Sequence, residues 1–536
     1  MKRTLEITLL AATVAVAMAL WAVRTGRVPT EYVPEALRAL APQAAAEPPP
    51  PSAGTPFVLE LTEPPTDRYG RPPARDADAT YRPVVEATGA GYDPTMGQAA
   101  AELAAFYADH HALAPSEPLA FILDAAGATV WGVRQAVVVT NAEGLAAVSD
   151  AVVEAVGATG GQVVAGVGEV VLLDAPPRRV IAVLTAHPGP SIEPMPRGYQ
   201  AGDRVRIRGT LPPEHAHPTV LAMQPDGTLF ELDCALEDRR FTTSFDATAG
   251  RWQVELLATG PHGPTPLAQL TFHVDEPIPD ALNTHWPPDE TMLDDPAAEL
   301  ARLVDNDRAA DGLPPFRRDP ALDVVAQRHS VDMARNAFVG HVSPRTGSVT
   351  DRLRVARYRS AGHGENVALN RNLWDAEQGL MRSLGHRRNI LSTDLDSAGF
   401  GAVHKDDGWY VTQVFARPAP VIDDLERARG ALLERLSEAR EAARVSPLRV
   451  FRPLDAAARG AAGRPSAKPN EALDDAAAHG GLDGQGSGYV VQLATLEQFA
   501  PPAGLLDGRF RRVGLGVGQF IGGVGPDIQV VVLVAE

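Results

Sequence analysis

Three short stretches in the second half of the chain decide how this sequence folds. Residues 338–344 read FVGHVSP, residues 364–368 read GENVA, and residues 383–391 read SLGHRRNIL. Each stretch places a histidine, an acid or an amide beside a glycine, a combination that ordinary helix and strand packing does not require. Such residues build polar sites, so we expect the three stretches to meet within one domain.

Regular secondary structure is predicted on both sides of these stretches. Apolar spacing between Arg302 and Ala326 predicts a helix, a turn at Pro314 and a second helix. Further on, residues 398–401 read AGFG and residues 409–415 read WYVTQVF, which predicts the two strands of a hairpin. The segment therefore predicts an α+β domain.

The order of these motifs resembles the bacterial branch of the CAP superfamily of SCP-like extracellular domains. That superfamily also contains plant pathogenesis-related proteins, insect venom antigens and cysteine-rich secretory proteins. The resemblance covers residues 290–418 and implies an α-β-α sandwich, in which a central antiparallel sheet lies between helical layers. It also implies an open cleft lined by two histidines and by acidic residues.

The resemblance assigns site residues one by one. His341 and His386 match the two cleft histidines of the family, and Glu365 matches the acid of its Gly-Glu-Asn motif. The second family acid has no match at the expected short spacing after His341. Asp351 is the nearest substitute, with the alternative that it caps a helix beginning near Thr350.

Two interpretations of this set stay open. Two neutral imidazoles with one or two carboxylates form a ligand set that suits a divalent metal such as zinc. The same groups can instead hold loops together by hydrogen bonds, with the Asn366 amide satisfying backbone groups. His363 could join the cleft. Ser343 and Ser383 lie near the histidines, but nothing in the sequence indicates an oriented base or an oxyanion hole.

The opening and the ending of this domain recur twice in the chain. Residues 425–536 repeat the two helices and close on Gly514-Leu515-Gly516 and a strand, without a GEN or GHR motif. Residues 81–190 repeat part of the opening and close on Gly166-Val167-Gly168 and a strand. Both segments are interpreted as degenerate CAP-like domains, with chance similarity between Ala-rich amphipathic helices as the alternative. Between residues 81–190 and the central segment 290–418, alternating apolar residues over 195–276 predict an immunoglobulin-like β-sandwich.

The first 80 residues predict export and a spacer. Lys2 and Arg3 precede an apolar run, so residues 1–24 are interpreted as a signal peptide or signal anchor. Residues 25–80 are rich in proline and are interpreted as a Pro-rich linker. The protein is thus expected outside the cytoplasm, secreted or held at the membrane or cell envelope.

Composition narrows the classes of function. The 536 residues carry a net charge of −18, so a nucleic-acid role is excluded for lack of a basic surface. Cys234 is the only cysteine, so no intramolecular disulfide can form. The first hypothesis is an exported binding or scaffold module for an extracellular lipid, glycan or protein. The alternative is a metal-dependent hydrolase acting on peptide or cell-wall substrates.

Overall fold

A computed structural model describes most of the chain. The described residues are 54–71, 80–140, 149–150, 152–156, 162–172, 178–288, 294–405, 408–419, 421–480, 484–520 and 528–536. The predicted signal segment 1–24 lies outside them, as does the first part of the predicted linker. Among the described helices, none combines the length and the apolar character needed to cross a membrane. All described residues except 110–112 belong to one compact unit.

Residues 54–71 correct the linker prediction for this part of the chain. Strand β1 (Pro56–Glu60) pairs with residues 281–285, and β2 (Arg68–Tyr69) pairs with residues 195–196. Leu59 and Tyr69 are buried. Composition suggested a spacer, but the apolar side chains of this segment pack against partners more than a hundred residues further along the chain.

Residues 82–188, here called the first domain, form a four-stranded sheet with the strand order β3-β5-β6-β4. The short strand β3 is parallel to β5, and the other neighbours are antiparallel. Its elements are α1 (Arg82–Ala87), β3 (Gly91–Tyr92), α2 (Pro94–His110), α3 (Ser116–Ala125), β4 (Val130–Thr140), β5 (Val164–Leu172) and β6 (Arg178–Pro188).

Residues 191–274, the two-sheet domain, contain a four-stranded sheet and a five-stranded sheet around one apolar cluster that includes Trp252 and Phe272. The strand orders are β13-β14-β10-β7 and β12-β11-β15-β16-β9. The strands are β7 (Ser191–Ile192), β8 (Met195–Pro196), β9 (Gly198–Tyr199), β10 (Arg204–Thr210), β11 (Ala216–Met223), β12 (Leu229–Leu232), β13 (Cys234–Glu237), β14 (Arg240–Asp246), β15 (Gly250–Gly260) and β16 (Gly263–Val274), followed outside the domain by β17 (Ala281–His285).

Residues 296–418, the central domain, form a four-stranded sheet with the order β18-β20-β21-β19. One face packs against α4, α7 and α8, and the other packs against α5 and α6. The elements are α4 (Pro296–Ala310), β18 (Arg317–Arg318), α5 (Pro320–Asn336), α6 (Val349–Val355), β19 (Ser360–Asn370), α7 (Leu373–Arg382), α8 (Leu384–Ile390), β20 (Ser397–Lys405) and β21 (Gly408–Pro418). The predicted pair of helices and the predicted hairpin are α4, α5, β20 and β21.

Residues 425–535, the last domain, also contain a four-stranded sheet, with the order β22-β24-β25-β23. Short 3₁₀ helices at Leu496–Gln498 and Ala503–Leu506 follow its strand β23. The other elements are α9 (Leu425–Ala442), β22 (Arg449–Val450), α10 (Arg452–Ala462), α11 (Pro469–Ala478), β23 (Gly486–Leu493), β24 (Arg512–Gln519) and β25 (Ile528–Ala535).

The Gly-x-Gly strands in the first, central and last domains occupy the same place in their sheets. Each lies between a short parallel strand and the antiparallel strand that follows it in sequence. A Cβ atom on Gly166, Gly399 or Gly514 would lie 2.1–2.2 Å from a backbone atom of the helix that follows the short parallel strand. Only glycine permits this close approach of helix and sheet.

Candidate functional site

The first of the predicted site residues, His341, lies in the loop that follows α5. A hydrogen bond of 3.1 Å joins its Nδ1 atom to Glu365 Oε1. Because an ionised carboxylate can only accept, the imidazole Nδ1–H donates, which leaves Nε2 outside this hydrogen bond. The side chain is partly exposed. His341 therefore presents one oriented nitrogen outside the bond to Glu365.

Glu365 lies in β19, the strand that borders β21, and its side chain is buried. Its Oε2 atom accepts a charge-assisted hydrogen bond from the guanidinium of Arg352. Burial alone would raise the pKa of Glu365, but the hydrogen bond from His341 and the charge of Arg352 together outweigh it and hold the pKa below its ordinary value. Both carboxylate oxygens are thus engaged by protein groups.

His386, the third of the predicted site residues, lies in α8 and close to His341. The centroids of the His341 and His386 rings are 5.8 Å apart. Burial, with a smaller effect from His341, lowers the pKa of His386 to about 3. The imidazole of His386 is therefore neutral at physiological pH and can act as a hydrogen-bonding partner or a ligand.

Asp351 does not join this group. It stands in the first turn of α6, where its Oδ2 atom accepts hydrogen bonds from the backbone N–H and the hydroxyl of Ser348, at 2.9 and 2.8 Å. The Ser348 hydroxyl in turn accepts from the Asp351 N–H, which completes a capping box. Asp351 thus takes the helix-capping role that the sequence left as the alternative. Its Oδ1 atom also accepts from Arg354 at 2.7 Å.

His363 also has a hydrogen-bond partner outside this group, since its Nε2 atom lies 2.9 Å from the Thr350 hydroxyl. The structure therefore brings together His341, Glu365 and His386 from the predicted set. Within the described part of the chain, no group of three or more His, Cys, Asp or Glu side chains is arranged to hold a metal ion.

The sequence did not indicate two residues that surround Glu365. Arg352 follows Asp351 directly, but it is buried beneath Glu365, whereas Arg354 is far more exposed. His329 in α5 is fully buried, and its Nε2 atom lies 2.9 Å from the Gly340 carbonyl and 4.0 Å from Glu365 Oε1. Helical spacing could place both side chains inward, but only the tertiary structure shows that they surround one carboxylate.

The two-sheet domain supplies a further contact that the sequence did not indicate. The buried Glu255 of β15 accepts a hydrogen bond from the backbone N–H of Gly385 at 2.8 Å, in the first turn of α8. Its second oxygen accepts from Gln269 at 3.0 Å. A carboxylate at a helix N-terminus accepts from an otherwise unpaired N–H and interacts favourably with the helix dipole. Glu255 therefore caps the helix that carries His386.

The turn between β15 and β16 contacts the loop that carries His341. The Val342 N–H donates to the His262 carbonyl at 2.9 Å, and His262 Nδ1 lies 3.2 Å from the Val342 carbonyl. The His262 ring stacks on Phe338 with 5.0 Å between centroids. Both histidine-bearing segments of the central domain are thus supported by the two-sheet domain.

A chain of buried amides ties the predicted motifs to one another. Asn389 Nδ2 donates to Asn366 Oδ1 at 2.9 Å, and Asn366 Nδ2 donates to Gln413 Oε1 at 2.9 Å. Gln413 in turn donates to the carboxyl of Glu377. The amide of the GEN motif therefore links α8 to β21 by side-chain hydrogen bonds.

This fold and this site define the class of protein. Residues 301–415 match the model of the CAP family, described as the cysteine-rich secretory protein family. The central domain is thus a CAP domain, with helices on both faces of its sheet, and the chain contains this domain.

Two curated relatives come from Bacillus subtilis (strain 168). The uncharacterized membrane protein YlbC is 32% identical over 133 residues, which cover 25% of this chain and 36% of YlbC. The uncharacterized protein YkwD is 30% identical over 118 residues, which cover 22% of this chain and 45% of YkwD. The chain thus spans less than half the length of either relative.

Solved structures with similarity include two bacterial proteins. An extracellular protein with an SCP domain from Bacillus anthracis has 19% identity and a TM-score of 0.21, and the match covers 40% of this chain and 78% of that one. A cysteine-rich secretory protein from Staphylococcus aureus has 13% identity and a TM-score of 0.20, with 47% and 85% covered.

Proposed function

We propose that this chain is an extracytoplasmic binding protein whose CAP domain recognises a small polar ligand at His341 and His386. The observation that supports this most directly is the engagement of both Glu365 oxygens, one by Arg352 and one by His341. The carboxylate orients the His341 ring and is itself neutralised. The ring nitrogens outside this bond, Nε2 of His341 and those of the neutral His386, then serve as the recognition groups.

A divalent metal such as zinc fits this arrangement only in a limited way. Metal-bound histidines usually donate their other ring N–H to a carboxylate, and His341 has this geometry toward Glu365. His341 and His386 would then be the protein ligands, completed by water, with Glu365 outside the coordination sphere. Catalytic zinc sites commonly have three protein ligands, and the described residues offer no such group here.

The hydrolase alternative lacks support from a specific observation. Glu365 is the acid nearest the two histidines, and a general base needs a carboxylate that is free to accept a proton. Its pairing with Arg352 favours the ionised, occupied form. Binding without turnover is therefore the function that this geometry supports best.

We further propose that the first and last domains are degenerate CAP-like domains. Each has the strand order of the central sheet, with a short parallel edge strand, a Gly-x-Gly strand and two antiparallel partners. The last domain has no GEN or GHR motif. Domains that keep a core without the polar site suit a scaffold. In the same proposal, the two-sheet domain is an immunoglobulin-like sandwich that supports the site.

Export belongs to this proposal as well. Its support is the basic and apolar sequence of residues 1–24, which predicts a signal peptide or a signal anchor. YlbC carries a membrane-protein name, and the Bacillus anthracis protein is described as extracellular. The ligand would then be an extracellular lipid, glycan or protein, and a retained anchor would hold the protein at the membrane.

The test uses zinc chloride as the probe and the full chain as the protein. We expect one saturable calorimetric binding event, weakened by at least about tenfold in His341→Ala and in His386→Ala. The matched control is His479→Ala, a highly exposed histidine of the last domain, which should bind as the wild type does.

Melting temperatures of the same variants separate binding from structure. Weaker zinc binding with a nearly unchanged melting temperature supports a binding cleft. A large loss of stability without any change in binding would show that the histidines are structural, and the proposal would be wrong.

A further inference from the structure

A cavity of about 420 Å³ lies beside the histidine cleft in the central domain. It lies between the beginning of β19, the end of β21, and the end of α8 with the segment that follows it. Neither His341 nor His386 lines it. Its volume falls within the range of small-molecule sites. The lining residues that matter here are Arg388, Asn389, Ser392, Asp394, Leu395 and Arg417.

Two arginines give this cavity its charge. Arg388 and Arg417 are exposed, and neither forms a salt bridge within the described residues, whereas the adjacent Arg387 pairs with Asp311 at 3.3 Å. Hydrogen bonds within its own turn are the main cause that lowers the pKa of Glu497, and Arg435 and then Arg417 lower it further. In a protein of net charge −18, two arginines at one cavity form a locally positive site.

Hydrogen-bonding groups and a small apolar surface form the rest of the cavity wall. The exposed carboxylate of Asp394 can accept hydrogen bonds from ligand hydroxyls. Ser392 Oγ accepts from the N–H groups of Asp394 and Leu395, each at 3.2 Å, so its own O–H remains available to donate. Gly362 leaves space over Leu395, since a Cβ atom there would lie 3.7 Å from Leu395 Cδ2.

We propose that this cavity binds a small hydroxylated carboxylate, such as the uronic-acid unit of a glycan. Arg388 and Arg417 receive the carboxylate, as guanidinium groups do in bidentate or paired contacts. Ser392 and Asp394 bind the hydroxyls, and Leu395 contacts the less polar face of the ring. Two arginines and one aspartate leave one net positive charge, which favours an anion over a neutral sugar. The contacts of Ser392, Asp394 and Leu395 favour a hydroxylated ring over inorganic phosphate.

The test titrates the full chain with glucuronate, glucose and inorganic phosphate, followed by NMR or calorimetry. We expect saturable 1:1 binding of glucuronate, clearly weaker binding of the other two, and weaker glucuronate binding at higher salt. Arg388→Ala and Arg417→Ala should each weaken glucuronate binding by about tenfold, the effect of losing one charge-assisted hydrogen bond. Arg328→Ala, which removes another exposed arginine of the same domain, should have no effect.

Several results would overturn the proposal: no saturable glucuronate binding, equal binding of glucose, phosphate binding as tight as glucuronate, or equal affinity in all three arginine variants. The double variant with His341→Ala and His386→Ala should keep its affinity for glucuronate. This separates the cavity from the histidine cleft, so the two proposals can fail independently.

Discussion

Arg352 determines whether Glu365 can remain charged inside the central domain. The two side chains are almost completely buried, and their ion pair is supplemented by the bond from His341. Removing one member of a buried ion pair leaves the other charge without compensation, which is far more costly than losing an exposed pair.

We therefore predict that Arg352→Met lowers the free energy of unfolding by about 3 kcal/mol. Urea denaturation followed by circular dichroism measures this change. Arg354→Met, two positions along the same helix, removes the exposed pair with Asp351 and should change stability little. Equal small losses in both variants would contradict a stabilising role for the buried pair.

Glu377 in α7 offers a test that depends on pH. Burial raises its pKa well above the ordinary value, and the neighbouring Asp307 carboxyl raises it further. The folded chain thus holds a proton that the unfolded chain releases at the ordinary pKa. The contribution of this carboxyl is fully present below that pKa and is lost as the pH rises toward the raised value.

We predict that Glu377→Gln becomes more stable relative to the wild type as the pH is raised from about 5 to about 8, by up to about 1.4 kcal/mol per pH unit. The amide keeps a neutral group at this position at every pH. Urea titrations of both proteins across this range measure the difference. The exposed Glu441→Gln should show no such trend, and a constant difference for Glu377→Gln would refute the assigned protonation.

Among individual residues, the sequence predicted those that stand in strong motifs and missed those that act through tertiary contacts. His341, Glu365 and His386 stand in recognisable stretches, and the structure brings them together. Arg352 and Glu255 stand in ordinary amphipathic segments. Arg352 acts through its burial next to Glu365, and Glu255 acts through a contact between two domains. No local sequence pattern encodes either feature.

Among the secondary-structure elements, the Gly-x-Gly strands show how a sequence pattern causes a packing feature. Their glycines allow a helix to lie close to the sheet. In the last domain, a Cβ atom on Gly516 would lie 2.2 Å from the Ala458 carbonyl oxygen of α10. Helix α10 cannot move away without opening the buried layer of alanines beneath it.

We predict that Gly516→Ala destabilises the protein by at least about 2 kcal/mol, because overpacking forces the helix and the sheet apart. Gly430→Ala is the matched control in the same domain. Gly430 lies inside α9, and a Cβ atom there would have no neighbour within 4 Å, so alanine should stabilise by about 0.5–1 kcal/mol. Thermal and urea unfolding distinguish the two, and a neutral Gly516→Ala would contradict the close packing.

The elements that the sequence predicted well are those with strong periodicity. Helices α4 and α5 and the β20–β21 hairpin follow the apolar spacing and the glycine pattern. Strand β1 was missed because its five residues follow a proline-rich stretch and pair with β17. Pairing over such a sequence distance leaves no local signal.

For the whole molecule, the CAP domain depends on its neighbours on two sides. From the first domain, Ser116 N–H donates to the buried Asp375 at 2.8 Å, and the Ser116 carbonyl accepts from Arg382. From the two-sheet domain, Glu255 caps α8. These partners lie 130 to 266 positions away in sequence, so the resemblance of residues 290–418 to a free-standing domain could not reveal them.

We predict that a fragment of residues 290–420 melts at least about 5 °C below a fragment of residues 54–420. In the shorter fragment Asp375 loses a buried donor, and the N–H of Gly385 loses the Glu255 carboxylate. Hydrogen exchange at Gly385 should be fast in the short fragment and slow in the long one, because only the long one retains the cap. Equal melting and equal exchange would mean that the CAP domain forms its histidine-bearing helix unaided, and that the two-sheet domain only rests against it.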